Sequence, residues 1–325
     1  MKKKIGRYFS NINELINFLQ TEKFVFIQPH NFPDHDAVAS AFGLQHFLKH
    51  FGLTSYIVYE TQIQRDSLKK LIKELNIEIS HISQYKMKKK DRIILVDGCK
   101  GYKNVTDLIG DEVAVIDHHK VELRYDVEFS DIRTNYGACS SIIVSYFTDH
   151  GVIMDSNVAS ALMTGILMDT NFLRRNVSEH DLNAYIQCYK YADFKLVQSI
   201  LRNYITKKDL NYYKFLIENL QYHNNLAFCY FQDGCNQNLL GILADFVLSL
   251  EEVNLVVLCA KNENNVNFSV RSEIQELDAS LLIKNVLKNI GFGGGHSDMA
   301  GGIIKNISVF DVDLIYDRIL SYINH

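Results

Sequence analysis

Apolar runs and amphipathic segments alternate along the first half of the chain. Short apolar runs that favour β-strands lie at 23–28, 55–59, 92–96 and 113–116. Segments with the apolar spacing of α-helices lie at 35–51, 67–75, 140–146 and 158–167. Continuous apolar runs are typical of buried parallel strands, and strand–helix alternation is typical of α/β proteins. The pattern therefore predicts a parallel sheet with helices on both faces.

The second half begins with a helical, tyrosine-rich stretch and then returns to alternating strands and helices. Further strands are predicted at 226–231, 255–260 and 266–270, and further helices at 239–250 and 279–289. A glycine-rich stretch, 291–302, precedes a last strand and helix. The sequence thus predicts an α/β protein in which a domain at 1–177 and a smaller α/β domain at 223–325 are joined by a helical connector at 178–222.

Composition excludes several classes of protein. With 47% hydrophobic and 22% charged residues among 325, the chain has the profile of a globular protein. No apolar run approaches the roughly 18 residues that span a bilayer, so no membrane partner is expected. The net charge of -4 disfavours long nucleic acid as a partner. Six cysteines without a CxxC pair, and no apolar stretch behind the N-terminal lysines, indicate reduced thiols and a cytoplasmic location.

Aspartate and histidine form four clusters at the ends of predicted elements. Three of the clusters follow predicted strands, and the fourth ends an apolar helix. The carboxyl ends of parallel strands line the ligand crevice of an α/β sheet, so these side chains are expected to converge. The clusters are His30 to Asp36, Asp97, Asp117-His118-His119, and Asp169.

The mixture of carboxylates and imidazoles indicates a divalent cation. Carboxylate oxygens suit hard cations and imidazole suits transition metals, so the set favours Mn²⁺ over Mg²⁺, and it lacks the thiolates of structural zinc. Taken singly, each cluster has an ordinary alternative, because an aspartate after a strand is often a turn residue or a helix N-cap. Four clusters at equivalent topological positions favour the metal interpretation.

The second half supplies candidate anion-binding groups. Gly293, Gly294 and Gly295 would let backbone N–H groups approach a phosphate, and His296 follows as a side-chain donor. Arg271, at the end of a predicted strand, could form a forked contact with phosphate. A simple turn and a solvated strand arginine are the alternatives.

Together these motifs resemble the DHH phosphoesterase superfamily, in the subgroup with a C-terminal DHHA1 domain and in particular its nanoRNase and 3′-phosphoadenosine-5′-phosphate phosphatase type. The run Asp117-His118-His119 is the signature of that family, and Gly293 to Gly302 is similar to the DHHA1 substrate loop. Two positions depart from the family pattern. His35 stands where a small residue is common, and Asn171 stands where glycine usually follows the Asp-Thr pair.

The resemblance implies a site with two Mn²⁺ ions, with Mg²⁺ as the alternative. One ion would be held by His30, Asp34 and Asp97, and the other by Asp36, Asp97, His118 and Asp169. Asp97 would bridge the ions, and His119 would orient the site or protonate the leaving oxygen. The substrate would be held by the remaining candidate residues: His35, Arg271, Gly293, Gly294, Gly295 and His296. Arg174 and Arg175 are further candidates for contact with phosphate.

The expected activity is hydrolysis of short phosphorylated nucleotides, either oligoribonucleotides a few units long or 3′,5′-bisphosphate nucleotides. One alternative is a phosphodiesterase for cyclic dinucleotides or their linear products. Another is a non-catalytic nucleotide-binding module, which a degenerate ligand set would reveal. A homodimer is left open.

Overall fold

The structure, a computed structural model, describes residues 9–102, 104–121, 127–202 and 205–324. Two compact units divide the chain between residues 204 and 205. Each unit contains a six-stranded sheet with its own hydrophobic core. None of the helices formed by the described residues has both the length and the apolar run that crossing a membrane requires.

The first sheet is entirely parallel, with the strand order β3-β2-β1-β4-β5-β6. Its strands are β1 (Val25–Pro29), β2 (Ser55–Tyr59), β3 (Ile79–His81), β4 (Arg92–Val96), β5 (Asp111–Asp117) and β6 (Phe129–Ile132). The helices of this unit are α1 (Ile12–Leu19), α2 (His35–His50), α3 (Asp66–Glu74), α4 (Cys139–Asp149), α5 (Ser156–Asp169), α6 (Glu179–Tyr189) and α7 (Phe194–Arg202). The order reverses between β1 and β4, which is where ligands bind in such sheets.

One face of this sheet is covered by helices and the other by irregular segments. Ile27 and Ile94 point into the core formed with the helices, while their neighbours Phe26 and Ile93 pack on the opposite side against side chains from 82–108. The prediction of helices on both faces is wrong. The connections from β3 to β4 and from β4 to β5 form no α-helix among their described residues, so these connections cover the second face with loops.

The second unit is a mixed sheet with the strand order β11-β12-β10-β9-β8-β7. Only the β8–β9 pair is parallel. The elements are α8 (Leu210–Asn219), β7 (Gln221–His223), β8 (Leu226–Phe231), α9 (Gln237–Leu248), β9 (Leu255–Asn262), β10 (Asn265–Ser272), α10 (Ala279–Val286), β11 (Phe292–Gly295), β12 (Met299–Ile304) and α11 (Val312–Ile323). The predicted α/β architecture, with a parallel first sheet and a smaller α/β second unit, is confirmed.

The helices predicted as a connector are divided between the two units. Helices α6 and α7 pack on α5 in the first unit, whereas Leu216 of α8 is buried in the second. The predicted domain limits, 1–177, 178–222 and 223–325, stay a prediction.

Candidate metal centre at the carboxyl edge of the first sheet

Three neighbouring strands bring three of the predicted clusters together. His30 directly follows β1, Asp97 follows β4, and His118 follows the last residue of β5. The strands are adjacent and parallel, so their carboxyl ends meet at one edge of the sheet. The sheet itself therefore aligns these side chains.

Six of the predicted ligands lie in two compact groups at this edge. Within each group the potential ligand atoms are within 4.8 Å of one another. The groups are His30, Asp34 and Asp97, and Asp36, His118 and Asp169. Asp97 also groups with His118 and His119.

Asp97 connects the two groups because its two oxygens face different histidines. Oδ2 lies 3.6 Å from Nε2 of His30, and Oδ1 lies 3.4 Å from Nε2 of His118. The same Nε2 of His118 is 3.2 Å from Oδ2 of Asp169. Asp97 adopts a left-handed backbone conformation with φ of 54°, which is uncommon for a residue with a side chain and clusters at functional sites. The position suits a carboxylate that bridges two cations.

Asp36 is held by the N-terminus of a helix from another part of the chain. Its Oδ2 accepts a hydrogen bond from the backbone N–H of Cys139 (2.7 Å), and its Oδ1 accepts one from Ser140 (2.9 Å). Cys139 is the first residue of α4, whose N-terminal N–H groups and dipole favour a carboxylate. Asp36, which is almost fully buried, is thus held in place by the first residues of α4.

Asp34 and Asp169 lie at opposite ends of helices. Asp34 caps α2 by accepting from the N–H of Ala37, so the ordinary N-cap role and the candidate ligand role coincide in one residue. Asp169 ends α5, and the three residues after Thr170 all have positive φ, namely Asn171, Phe172 and Leu173. Asn171 adopts the left-handed conformation that its position in place of glycine predicts.

Burial and mutual repulsion raise the pKa of two of the carboxylates, Asp36 and Asp169, whereas the neighbouring histidines, against the effect of burial, lower the pKa of Asp97. Burial, followed by the carboxylates of Asp97 and Asp169, raises the pKa of Asp36 well above its usual range. Burial likewise raises the pKa of Asp169 to about 6, although the neighbouring His118 acts in the opposite direction. Buried carboxylates that repel one another are stabilised when a cation lies between them.

The pKa values of the two histidine ligands are raised as well, but here the cause is attraction by the carboxylates. Burial alone would lower the pKa of His118, but hydrogen bonding and charge from Asp97 raise it well above its usual value. The pKa of His30 is also raised, by Asp34 and Asp97 against the effect of burial. A divalent cation would replace these protons, since four carboxylates and two imidazoles form an O- and N-donor set typical of Mn²⁺ and related ions. The residues present therefore fit the predicted metals.

His119 is oriented by the first residue of its own motif. Its Nδ1 lies 2.8 Å from Oδ1 of Asp117, which also accepts from the His119 backbone N–H. Although burial opposes it, this hydrogen bond, with the charge of Asp97, raises the pKa of His119 to about 9. His119 therefore holds a proton near Asp97, which suits transfer to a leaving oxygen.

His35 is the first residue of α2. Its ring is fully buried, and neither ring nitrogen has a hydrogen-bond partner among the described residues. Burial, with the charge of Arg65, lowers the pKa of His35 to about 4, so the ring is neutral. Of the two candidate loop arginines, Arg175 donates to the carbonyl of Asp169, and Arg174 is exposed. The predicted contacts of His35, Arg174 and Arg175 with substrate stay predictions.

In the second unit, Arg271 is already engaged by a carboxylate. The guanidinium is almost buried, and Nε lies 2.5 Å from Oδ1 of Asp245. Nη1 donates to Ser269 Oγ and to the carbonyl of Val270. The alternative of a solvated strand arginine is therefore wrong for Arg271. Its predicted contact with phosphate stays a prediction.

The glycine-rich stretch forms a hairpin rather than a loop. Gly293 and Gly294 pair with Gly302 and Gly301 across β11 and β12, and of the successive glycines 293–295 only Gly295 has a positive φ, at 144°. The stretch predicted as a loop is therefore largely paired β-structure, and Gly293 lets it lie close to α10. A Cβ on Gly293 would approach Ile283 to 2.8 Å. His296 is exposed just after β11.

Two supporting groups escaped the sequence interpretation. The carbonyl of Tyr136 accepts from Nδ1 of His118, and no sequence signal identifies a backbone carbonyl. The second group is the carboxylate of Asp181, which accepts a hydrogen bond from the backbone N–H of Gly137, next to Tyr136. Ser178-x-x-Asp181 is a capping-box pattern that could have shown where α6 begins.

Family models match both units of the chain. The sequence profile of the DHH family, N-terminal domain, matches residues 24–166, and that of the DHHA1 domain matches residues 223–324. The chain belongs to the DHH phosphoesterase superfamily, in the DHHA1-containing subgroup. The predicted family and, at that level, the predicted phosphoester hydrolase are confirmed.

Two curated relatives and one solved structure are similar to this DHH–DHHA1 protein. It is 25% identical to the bifunctional oligoribonuclease and PAP phosphatase NrnA of Mycoplasma genitalium, over 91% of the chain and 93% of that protein. It is 25% identical to the cyclic-di-AMP phosphodiesterase PdeA of Listeria monocytogenes, over 89% of the chain and 46% of that protein. The fold matches an exopolyphosphatase-related protein from Bacteroides fragilis with a TM-score of 0.80 over 96% of both chains, at 17% identity.

The length of the matched relatives varies. The DHH–DHHA1 chain spans 59% and 46% of the length of two curated relatives, and 89% and 93% of two others.

Proposed function

We propose that this DHH–DHHA1 protein uses two divalent cations, Mn²⁺ in preference to Mg²⁺, to hydrolyse phosphate esters of short nucleotides. The substrates are oligoribonucleotides a few units long, 3′,5′-bisphosphate nucleotides, or both. The observation that carries the proposal is the meeting of two ligand groups at Asp97, whose oxygens face His30 on one side and His118 on the other.

The bound cations would supply a water nucleophile and stabilise the attacking and leaving oxygens of an in-line displacement. The protein's own residues fix where this happens. Asp36 is held by α4, and Asp97 is held by its left-handed backbone. His119, with Nδ1 directed to Asp117, would donate the proton on Nε2 to the leaving oxygen.

The net charge of the chain and its similarity to NrnA both favour short substrates. A protein that grips many phosphates of a long strand needs a basic groove, and the net charge of -4 offers little overall attraction. The relative NrnA, which is named for short RNA and PAP, is matched along nearly its whole length. Arg271, the glycines of the hairpin and His296 are proposed to hold the terminal phosphate.

Hydrolysis of a cyclic dinucleotide, or of its linear product, is the second candidate. It is supported by the match to PdeA, which extends over 89% of this chain but only 46% of that relative. A non-catalytic nucleotide-binding module is disfavoured, because all six predicted ligands are present and lie together.

One substrate panel tests the proposal. Metal-free protein is supplied with Mn²⁺, Mg²⁺ or Ca²⁺ and given a 3′,5′-bisphosphate nucleotide, a diribonucleotide, a cyclic dinucleotide and a 20-nucleotide RNA. We expect Mn²⁺ to support the highest rates, on the first two substrates, with rates that fall steeply beyond about five units and depend weakly on salt. Equal rates per end on two-unit and twenty-unit RNA, with a steep salt dependence, would instead identify a general exonuclease.

A further inference from the structure

A buried carboxylate on helix α6 holds the segment that supports one of the two ligand groups. Asp181 is fully buried at the third position of α6. Its Oδ2 accepts from the backbone N–H of Gly137 (2.9 Å), and its Oδ1 accepts from Oγ of Ser141 (2.6 Å). These contacts hold residues 137 and 141, and we call the stretch 136–141 the support segment.

The support segment touches two ligands of the same group. The carbonyl of Tyr136 lies 3.2 Å from Nδ1 of His118. The N–H groups of Cys139 and Ser140 donate to the two oxygens of Asp36, at 2.7 and 2.9 Å. His118 and Asp36, with Asp169, form the second ligand group.

The link from Asp181 to His118 passes through a single peptide unit. The C=O of Tyr136 and the N–H of Gly137 belong to the same planar peptide bond, and in a trans peptide they point in opposite directions. When Asp181 holds the N–H on one side, it turns the C=O toward His118 on the other. The hydrogen bond that Asp181 accepts from this N–H also polarises the peptide unit, which strengthens the hydrogen bond between His118 and the carbonyl.

We propose that Asp181 is a positioning residue for the second metal, acting through the support segment. By fixing the Tyr136 carbonyl it keeps a proton on Nδ1 of His118, so that Nε2 presents its lone pair to the cation. By fixing the start of α4 it also keeps Asp36 in place. Groups that hydrogen-bond a metal ligand in this way typically change metal affinity by about 10–100-fold when removed. The inference rests on the proposed use of two metals, but not on the identity of the substrate.

A purely structural role makes a different prediction. Asp181 also accepts from the N–H and Oγ of Ser178, as part of the capping box of α6. If capping were its whole role, Ser178→Ala and Asp181→Ala would lower thermal stability, and neither would change one metal site selectively.

The experiment is calorimetric titration of Mn²⁺ into the full-length, metal-free protein, with thermal unfolding measured in parallel. In Asp181→Ala we expect one of two Mn²⁺ sites to weaken by about tenfold or more while the other keeps its affinity. Asp181→Asn, whose amide oxygen can still accept from Gly137, should restore most of that loss. Ser141→Ala leaves the cap of α6 intact and should weaken the same site by a smaller factor. If Asp181→Ala does not fold, the Mn²⁺ affinities of Ser141→Ala test the proposal.

Two variants serve as matched controls. Ser178→Ala removes the side-chain cap of α6, and Asp193→Asn changes the residue that caps α7 in the same unit. Both should keep the wild-type affinities for Mn²⁺. Wild-type affinities in Asp181→Ala or Ser141→Ala, or equal weakening of both sites, would overturn the positioning role alone. Wild-type protein that binds no Mn²⁺ would overturn the proposed function as well, whereas two bound ions without nucleotide hydrolysis would overturn only the substrate assignment.

Discussion

Nδ1 of His119 lies 2.8 Å from Oδ1 of Asp117, two residues earlier in the chain. Both residues belong to the run that names the family, and they have separate tasks in it. His118, between them, faces Asp97 and Asp169, whereas Asp117 faces His119. The run therefore places a candidate ligand and a candidate proton donor side by side.

The first prediction concerns the charge of His119. Its pKa of about 9 in the folded, metal-free protein exceeds the usual 6.5, so folding is stabilised by its proton below pH 6.5, and that contribution is lost as pH rises through 9. Asp117→Asn should lower this pKa, because the hydrogen-bonded charge is removed. Histidine NMR titration of metal-free protein measures the shift, with the His150 resonance as the internal control. An unchanged His119 pKa in the variant would contradict this relationship.

The second prediction concerns the bridging carboxylate. Asp97→Ala should abolish activity and lower bound Mn²⁺ by more than one ion per chain, because a bridging ligand serves both ions. Metal analysis after gel filtration measures the loss, and Asp149→Ala, which changes an exposed carboxylate, is the control. A variant that loses one ion and stays active would show that Asp97 does not bridge.

The third prediction tests why the hairpin needs glycine. A Cβ on Gly302 would come within 2.5 Å of Leu287 and 2.9 Å of Ile283, whereas a Cβ on Gly294 meets nothing within 4 Å. Gly302→Ala should therefore reduce the free energy of unfolding by about 1–3 kcal/mol, as overpacking does. Gly294→Ala is the matched control and should leave stability nearly unchanged in urea unfolding. Equal effects of the two substitutions would argue against close packing on α10.

The fourth prediction separates binding from chemistry in the second unit. Arg271→Ala should raise the KM of a short nucleotide by about thirtyfold or more, which corresponds to the loss of about 2 kcal/mol from a charge-assisted contact, while bound Mn²⁺ stays constant. His296→Ala should act in the same direction. Arg318→Ala, which removes a guanidinium that donates to backbone carbonyls, is the control with an unchanged KM. Loss of Mn²⁺ from Arg271→Ala would contradict this division of roles.

The fifth prediction concerns the cysteines. All six thiols are buried and free, and burial raises the pKa of Cys229 and Cys235 to about 12. Because the thiolate is the reactive form, a disulfide reagent at pH 8 should label fewer than one thiol per native chain and all six after unfolding. Rapid labelling of native protein would indicate that one of these sites opens in solution.

Local patterns in the sequence were sufficient for most elements of the fold. The run of β4 and the amphipathic segment of α2 are continuous in sequence, so their periodicity identifies them. Shorter elements such as β3 and β6 were missed, since three or four partly buried residues carry too little pattern. The glycines were identified as important but assigned to a loop, because glycine marks both flexible turns and close packing, and only the position of α10 distinguishes them.

The sequence by itself determined which residues form the candidate site, because ligand chemistry belongs to side-chain types and the strand ends bearing His30, Asp97 and His118 are visible as breaks in apolar runs. Only the tertiary structure decided how those residues are held. Asp36 depends on α4, about a hundred residues away, and His118 depends on a backbone carbonyl that Asp181 fixes from α6. Such contacts join groups that are distant in the chain, so their geometry is created by the folding of the sheet and helices around one edge.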